Sequence, residues 1–231
     1  WFSLIPLWLG SYYVSHGVLF ITKRLKEWYN PRKKPFGITH TNAPDDEMFP
    51  HDDTPKAVHK QRVGLPADKR ILLYLGSTFW FQLDVLITMM RLLPQNCVLA
   101  IVGIKGVKEE QELRAFAKDA GVSDRLILRE RVPSYEVPLF LRAADILLNC
   151  YTPTAFDGGI SSKLYEYLAV GVPIISHRAG ANDEVLKDGH NAILLASGSP
   201  EEFAAAVKRI LEHPSFADHI SKQAKQDSYL Y

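Results

Sequence analysis

The sequence predicts an α/β fold built on a Rossmann-like, doubly wound parallel sheet, and three observations carry that expectation. From Lys69 onward, short apolar runs recur at 71–75, 97–102, 126–129, 146–150, 172–176 and 192–195, each the length of a buried strand. Stretches of helical period lie between them, at 83–93, 109–120, 136–144, 162–170 and 200–213. Glycine-bearing turns follow the first two runs, at Gly76-Ser77-Thr78 and Gly103-Ile104-Lys105-Gly106. Strands that alternate with helices form βαβ units, and such units build a parallel sheet whose ligands lie beyond the carboxyl ends of the strands.

The elements follow in chain order. Residues 1–22 carry no formal charge, and Lys23-Arg24-Leu25-Lys26 comes next. That length meets the minimum for a membrane span. Pro6, Gly10, Tyr12, Tyr13, Ser15, His16 and Gly17 break it instead into a helix over 5–15, a stop at Gly17 and a strand over 18–22. The basic cluster lies after the apolar run, which is the wrong order for a secretory leader. A basic helix over 23–29 and a strand near 36–39 complete this segment. Residues 42–55, rich in Pro and Asp and without apolar period, read as a linker. At the far end, Ser199-Pro200-Glu201-Glu202 is a helix start with cap, first-turn Pro and early acids.

The chain has 231 residues, 47% hydrophobic and 23% charged, enough for one sizeable core. Its net charge of +1 supplies no global field for nucleic acid or an anionic membrane, so any anion site must be local. Cys97 and Cys150 both fall in predicted core strands and are expected as reduced, buried small hydrophobes of a cytoplasmic protein. The eight histidines show no metal-ligand spacing, two isolated cysteines cannot build a zinc site, and neither GxSxG nor GxxxxGK[ST] occurs.

The most informative stretch is 156–176, FDGGISSKLYEYLAVGVPIIS. Gly158 and Gly159 allow close backbone approach to a ligand. The amides of Ile160, Ser161 and Ser162 then stand at a helix start, where N–H groups and the dipole favour an anion. Ser161 and Ser162 also fit as an N-cap and its neighbour. Lys163 adds a cation, and Glu166 follows on the same helix face, placed to accept from the two hydroxyls of a ribose. Asp157 suits either a loop cap or a sugar-hydroxyl acceptor. Gly76 and Ser77 offer a second approach to phosphate, Lys105 a second cation, and Arg129 with Arg131 a border at the end of the third strand. His177, Arg178, Gly180 and Asn182 follow the fifth strand and could line the same cleft. Each charged residue has an ordinary alternative on a solvated surface.

With those residues in hand, the chain resembles the retaining glycosyltransferases of the GT-B fold, in the family 4-like group. The resemblance covers roughly residue 37 to the end. It rests on the order of GITHTNAPDDEMF, ILLYLGS, LAIVGIKGVKEEQELRAFAKDAGV, DRLILRERVPSYEVPLFLRAADILLNCY and SSKLYEYLAVGVPIIS. It implies a C-terminal domain that binds a nucleoside diphosphate sugar and an N-terminal domain for the acceptor, with transfer in the cleft between them and no metal or cofactor. Glu166 matches the second acid of the family's Glu-x7-Glu signature and would hold the ribose. The helix-start amides and Lys163 would receive the diphosphate, and Arg129 and Arg131 would border the base.

Two departures stand out. The first acid of the signature falls at Gly158, with Asp157 one residue early. The loop after the first core strand, residues 77–82, has no cation where the family tends to carry Arg and Lys; Lys163 and Lys105 are the candidates to compensate. The expected division is 1–41, a remnant of an acceptor-side domain; 42–68, interdomain linker and lead-in; 69–213, the nucleotide-sugar-binding unit; and 214–231, a truncated C-terminal helix. The acceptor is expected to be a sugar, a lipid-linked molecule or a small molecule, with peripheral contact at the inner face of a membrane through the missing N-terminal domain. The alternatives are a non-catalytic nucleotide-sugar-binding or scaffold protein, and a nucleotide-sugar epimerase on the same fold.

Overall fold

A computed structural model describes residues 18–20, 22–29, 33–38, 47–78, 82–150 and 159–231. The helix expected over 5–15, with the alternative of a membrane span, lies outside the described residues, as do most of the expected linker's first residues. No helix among the described residues is long and apolar enough to cross a membrane.

The chain first forms a small parallel pair, β1 (Val18–Phe20) and β2 (Phe36–Ile38), joined by α1 (Lys23–Tyr29). Thr22 Oγ1 accepts from the Leu25 amide and starts α1. The segment expected as linker is anchored where it is described. Asp52 lies 3.4 Å from Arg142 Nη1 and 3.5 Å from the Nε2 of buried His59, which pins it to two helices. One of these, α2 (Lys56–Arg62), was not expected: within 42–68 the sequence offers it no acid in the first turn and no side-chain cap.

Six parallel strands make the main sheet: β3 (Arg70–Leu75), β4 (Cys97–Ile104), β5 (Leu126–Glu130), β6 (Ile146–Asn149), β7 (Ile174–His177) and β8 (Ile193–Leu195). Their spatial order is β5-β4-β3-β6-β7-β8. The order runs outward from β3 in one direction, then returns to β6 and runs in the other. This doubly wound arrangement has its topological switch point between β3 and β6. Because both faces are covered, the strands are almost continuously apolar: Ile71, Leu72, Leu73 and Tyr74 of β3 are fully buried.

Strand alternation sends Leu72, Leu99, Ile146 and Leu148 to one face. They pack there with α3 (Leu83–Met89) and α7 (Pro200–Glu212), and α4 (Gly106–Asp119) adds Ala117. Ile71, Leu73, Leu147 and Ile174 face the other way, against α5 (Val137–Ala143) and α6 (Lys163–Val170). A last helix, α8 (Pro214–Asp227), reaches both clusters through Ile220 and Ala224. Cys97 and Cys150 are buried and form no disulfide, and burial pushes the Cys150 thiol up to about 12. The start of α7 is as expected, with Ser199 Oγ accepting from the Glu202 amide at 3.2 Å.

Charge at the amino ends of the strands is closely matched. Asp145, just before β6, accepts from Lys60 Nζ and from the Ile71 amide, both at 2.8 Å, and lies 3.3 Å from Lys56 Nζ. Burial pushes the Asp145 carboxyl up, but Lys56, Lys60 and the Ile71 amide outweigh it and hold it below its ordinary range. Lys60, itself buried, also donates to the Lys69 carbonyl at 2.7 Å.

Candidate functional site

At the carboxyl ends of β3 and β6 the chain brings together Gly76, Ser77 and the start of α6. Two glycines let β3 and β4 end in contact. Gly76 has φ 136° and Gly103 φ 117°, and a Cβ on Gly103 would stand 2.2 Å from the Gly76 carbonyl oxygen. The Gly76 amide donates to the Val102 carbonyl at 2.9 Å. A Cβ on Gly76 itself would fall 2.9 Å from both Cε and Nζ of Lys163, so glycine at 76 leaves the space that this lysine occupies.

Lys163 is the first residue of α6 and is buried, which overturns its alternative as a surface lysine. Its side chain crosses the switch point to β3. Nζ donates to the Tyr74 hydroxyl at 2.8 Å and lies 4.0 Å from the centre of the same ring. The Tyr74 hydroxyl in turn donates to the Ser77 carbonyl. Burial pulls the Lys163 ammonium well below its ordinary range, with Glu166 acting in the opposite direction. Glu166 is half-buried, and burial raises its carboxyl while Lys163 lowers it. Among the described residues Glu166 accepts no hydrogen bond. Tyr167, fully buried on the same helix, accepts from the Leu75 amide at 3.2 Å and fixes α6 against β3.

Residues 159–162 lead into α6 and rest on the turn after β7. The Ala181 amide donates to the Gly159 carbonyl at 2.9 Å, and the Ser161 amide donates to Asn182 Oδ1 at 3.4 Å. Two expectations are corrected here. Ser162 occupies the N-cap position with helical φ −55° and ψ −34° and makes no side-chain cap bond, because capping by a serine side chain needs an extended backbone. The Ser161 amide, expected for phosphate, is already engaged by Asn182. Ile160 and Ser161 are buried, whereas Ser162 is exposed.

Other candidates are more scattered. Lys105 is exposed at the N-cap of α4, where its amide donates to the Glu109 carboxylate. Arg129 and Arg131 are exposed at the end of β5, two strands from β3, or roughly 10 Å at ordinary strand spacing. The Arg129 guanidinium points towards Gly64, 3.8 Å from where a Cβ there would be. His177 is buried, its ring 2.9 Å from the position of a Cβ on Gly198, on the side of the sheet that α7 covers. Asp157 and Gly158 lie outside the described residues.

Three buried polar atoms around the same strand ends have no hydrogen-bond partner among the described residues: Thr78 Oγ1, Asn149 Oδ1 and Asn182 Nδ2. Asn149 Nδ2 donates to Ser176 Oγ at 2.9 Å, so its amide is oriented and its oxygen is the orphan. Each of these buried atoms leaves bonding capacity open at the strand ends. Tyr74 and Asn149 were not singled out in the sequence. The available signal was a single polar side chain in each of two otherwise aliphatic runs, ILLYLG and ILLN. Among the described residues no group of three or more His, Cys, Asp or Glu is placed to hold a metal ion.

Among curated proteins, the D-inositol 3-phosphate glycosyltransferase of Xylanimonas cellulosilytica is 27% identical over 165 residues, covering 70% of this chain and 39% of that protein. Its counterpart in Streptomyces bingchenggensis is 25% identical over 198 residues, covering 81% and 42%. The chain thus spans about two fifths of the length of these relatives. Among solved structures, Anabaena Alr3699/HepE in complex with UDP superposes with a TM-score of 0.82 at 16% identity, over 95% of this chain and 60% of that one. WaaG, a glycosyltransferase involved in lipopolysaccharide biosynthesis, gives 0.74 at 19%, over 92% and 58%. These likenesses identify the sheet as the Rossmann-like half of a GT-B fold. The sequence profile of the family Glycosyl transferases group 1 matches residues 55–227, and the chain belongs to that family.

Proposed function

We propose that this chain is the donor-binding half of a retaining glycosyltransferase that moves a hexose-type sugar from a nucleoside diphosphate sugar to an acceptor hydroxyl. One observation carries the reading: a buried lysine is held across the switch point at the start of the helix that bears Glu166. Switch points are where doubly wound sheets take nucleotides. Alr3699/HepE, which shares the fold, was crystallised with UDP and with UDP-glucose, which supports the donor class.

In this reading the diphosphate lies over Gly76, Ser77 and the start of α6, where Ser162 contributes an amide and Lys163 a positive charge. Glu166 accepts from the ribose hydroxyls. The base extends towards Arg129 and Arg131, with Lys105 on the way. Transfer breaks the bond from the sugar's anomeric carbon to the β-phosphate oxygen, which leaves with the electron pair. The acceptor oxygen bonds to that carbon on the face the diphosphate leaves and gives its proton to the departing β-phosphate oxygen. Lys163 and the helix-start amides stabilise the charge that grows on the departing diphosphate, and no metal or cofactor is called on. Asp157 and Gly158 would approach the sugar end. Residues 1–41 belong to the acceptor side in this reading, which takes a sugar, a lipid-linked or a small-molecule acceptor.

Calorimetric titration with UDP, GDP and their sugars tests the site. Micromolar to millimolar binding of a nucleoside diphosphate is expected, weakened about tenfold or more by Glu166→Ala. A folded chain that binds none of them would overturn the proposal, and a Glu166→Ala variant that binds as tightly as the parent would remove the ribose role.

A further inference from the structure

We propose that Tyr74 is a positioning residue for Lys163, fixing its ammonium against the Ser77 loop so that both face the donor diphosphate as one unit. The proposal rests on the donor-site reading above. A lysine head on four methylenes is a poor electrostatic tool unless something holds it, since its rotamers carry about 2 kcal/mol of entropy. Lys163 leaves α6 at its first residue and reaches across to β3. Tyr74 touches it in two ways, with the ring centre 4.0 Å from Nζ and the hydroxyl at 2.8 Å.

The polarity of that hydroxyl is fixed by its other bond. Its single hydrogen is given to the Ser77 carbonyl, so only lone pairs remain for the ammonium. Tyr74 thus connects a cation on α6 with the backbone of the loop after β3, and the bare backbone of Gly76 keeps the path open between them. Being fully buried within β3, Tyr74 itself does not reach the donor. It stands in the strand that leads into a loop without a cation, and its part is to hold Lys163 beside that loop.

The test is a double-mutant cycle read by calorimetry with UDP and with uridine. Tyr74→Phe keeps the ring and removes only the hydroxyl. It should weaken UDP binding about tenfold, leave uridine binding unchanged, and retain cooperative thermal unfolding. Lys163→Met should weaken UDP by at least as much. Adding Tyr74→Phe to Lys163→Met should then change UDP affinity less than twofold, because the hydroxyl acts through the lysine. This last comparison decides the matter even if the single Tyr74→Phe variant does not fold, since the double variant removes both polar groups together. Equal UDP affinity of parent and Tyr74→Phe, or a further tenfold loss in the double variant, would overturn the inference while leaving the donor site standing. A parent chain that binds no nucleoside diphosphate would overturn both.

Discussion

The two ends of the main sheet each bury a lysine, and they treat it differently. At the amino ends of the strands, Lys60 meets a carboxylate at 2.8 Å and a carbonyl at 2.7 Å, and Asp145 is further surrounded by Lys56 and the Ile71 amide. At the carboxyl ends, Lys163 rests on a phenol hydroxyl and a ring, and burial opposes its charge. The first arrangement offsets the desolvation of both ions inside the fold. The second holds a lysine whose charge burial opposes, at the ends where the proposed function places an anion. Removing charge at one end should therefore unfold the protein, and at the other should affect binding.

The largest expected effect is at Asp145. Asp145→Ala leaves Lys60 buried without its carboxylate and should cost about 3–5 kcal/mol in urea denaturation. Arg125, also on the amino side, donates to the carbonyls of Met90, Leu93 and Pro94, so Arg125→Met should cost about 2–3 kcal/mol. Lys163→Met should instead leave the ligand-free protein as stable as the parent at pH 7, or more stable by about 1 kcal/mol. A Lys163→Met loss as large as that of Asp145→Ala would break the contrast.

Acidity sharpens it. The folded Lys163 ammonium lies below its unfolded value of about 10.4, so between the two the unfolded chain binds more protons and stability rises with pH. The difference between parent and Lys163→Met should therefore shrink as pH is raised from 7 towards 10. Asp145 runs the other way: its carboxyl is held low in the fold, so its stabilisation is complete above about pH 4 and is lost as pH falls through the folded value. Melting curves of Asp145→Asn against parent should converge only in that acid range. The smallest effect is a control on the carboxyl side, where the start of α7 is satisfied by its own side chains. Ser199→Ala should cost about 1 kcal/mol with no change in UDP affinity.

Much of the fold was legible because a two-sided parallel sheet writes each strand as an unbroken apolar run. All six runs became strands within a few residues, and the helix start at Ser199 formed as its residue types imply. Helix α2 escaped because its stability comes from packing and from Lys60 and Asp145, partners 85 residues apart. The candidate site was legible along one segment only. Lys163 and Glu166 stand out locally in SSKLYEY, but what holds Lys163 comes from a strand 89 residues earlier. Asn182 was named for following a strand, while its bond to Ser161 depends on how two loops meet. For Arg129 and His177 the sequence shows position at a strand end but not the face to which the side chain turns.

The turn at Asn182–Glu184 touches more than the lead-in to α6. On its other side the Glu184 carboxylate accepts from the Lys23 and Arg24 amides at 2.8 and 2.9 Å, and Asp183 lies 3.3 Å from Arg24. These contacts join residues 161 and 160 positions apart in the chain. In the course of folding such a contact closes a very long loop, and its few polar bonds repay that closure poorly until the sheet between has formed. The sheet is therefore expected to form first and α1 to dock afterwards. A contact formed last is the first to open, so α1 should be released from the sheet domain well before the core around β3 and β6 gives way.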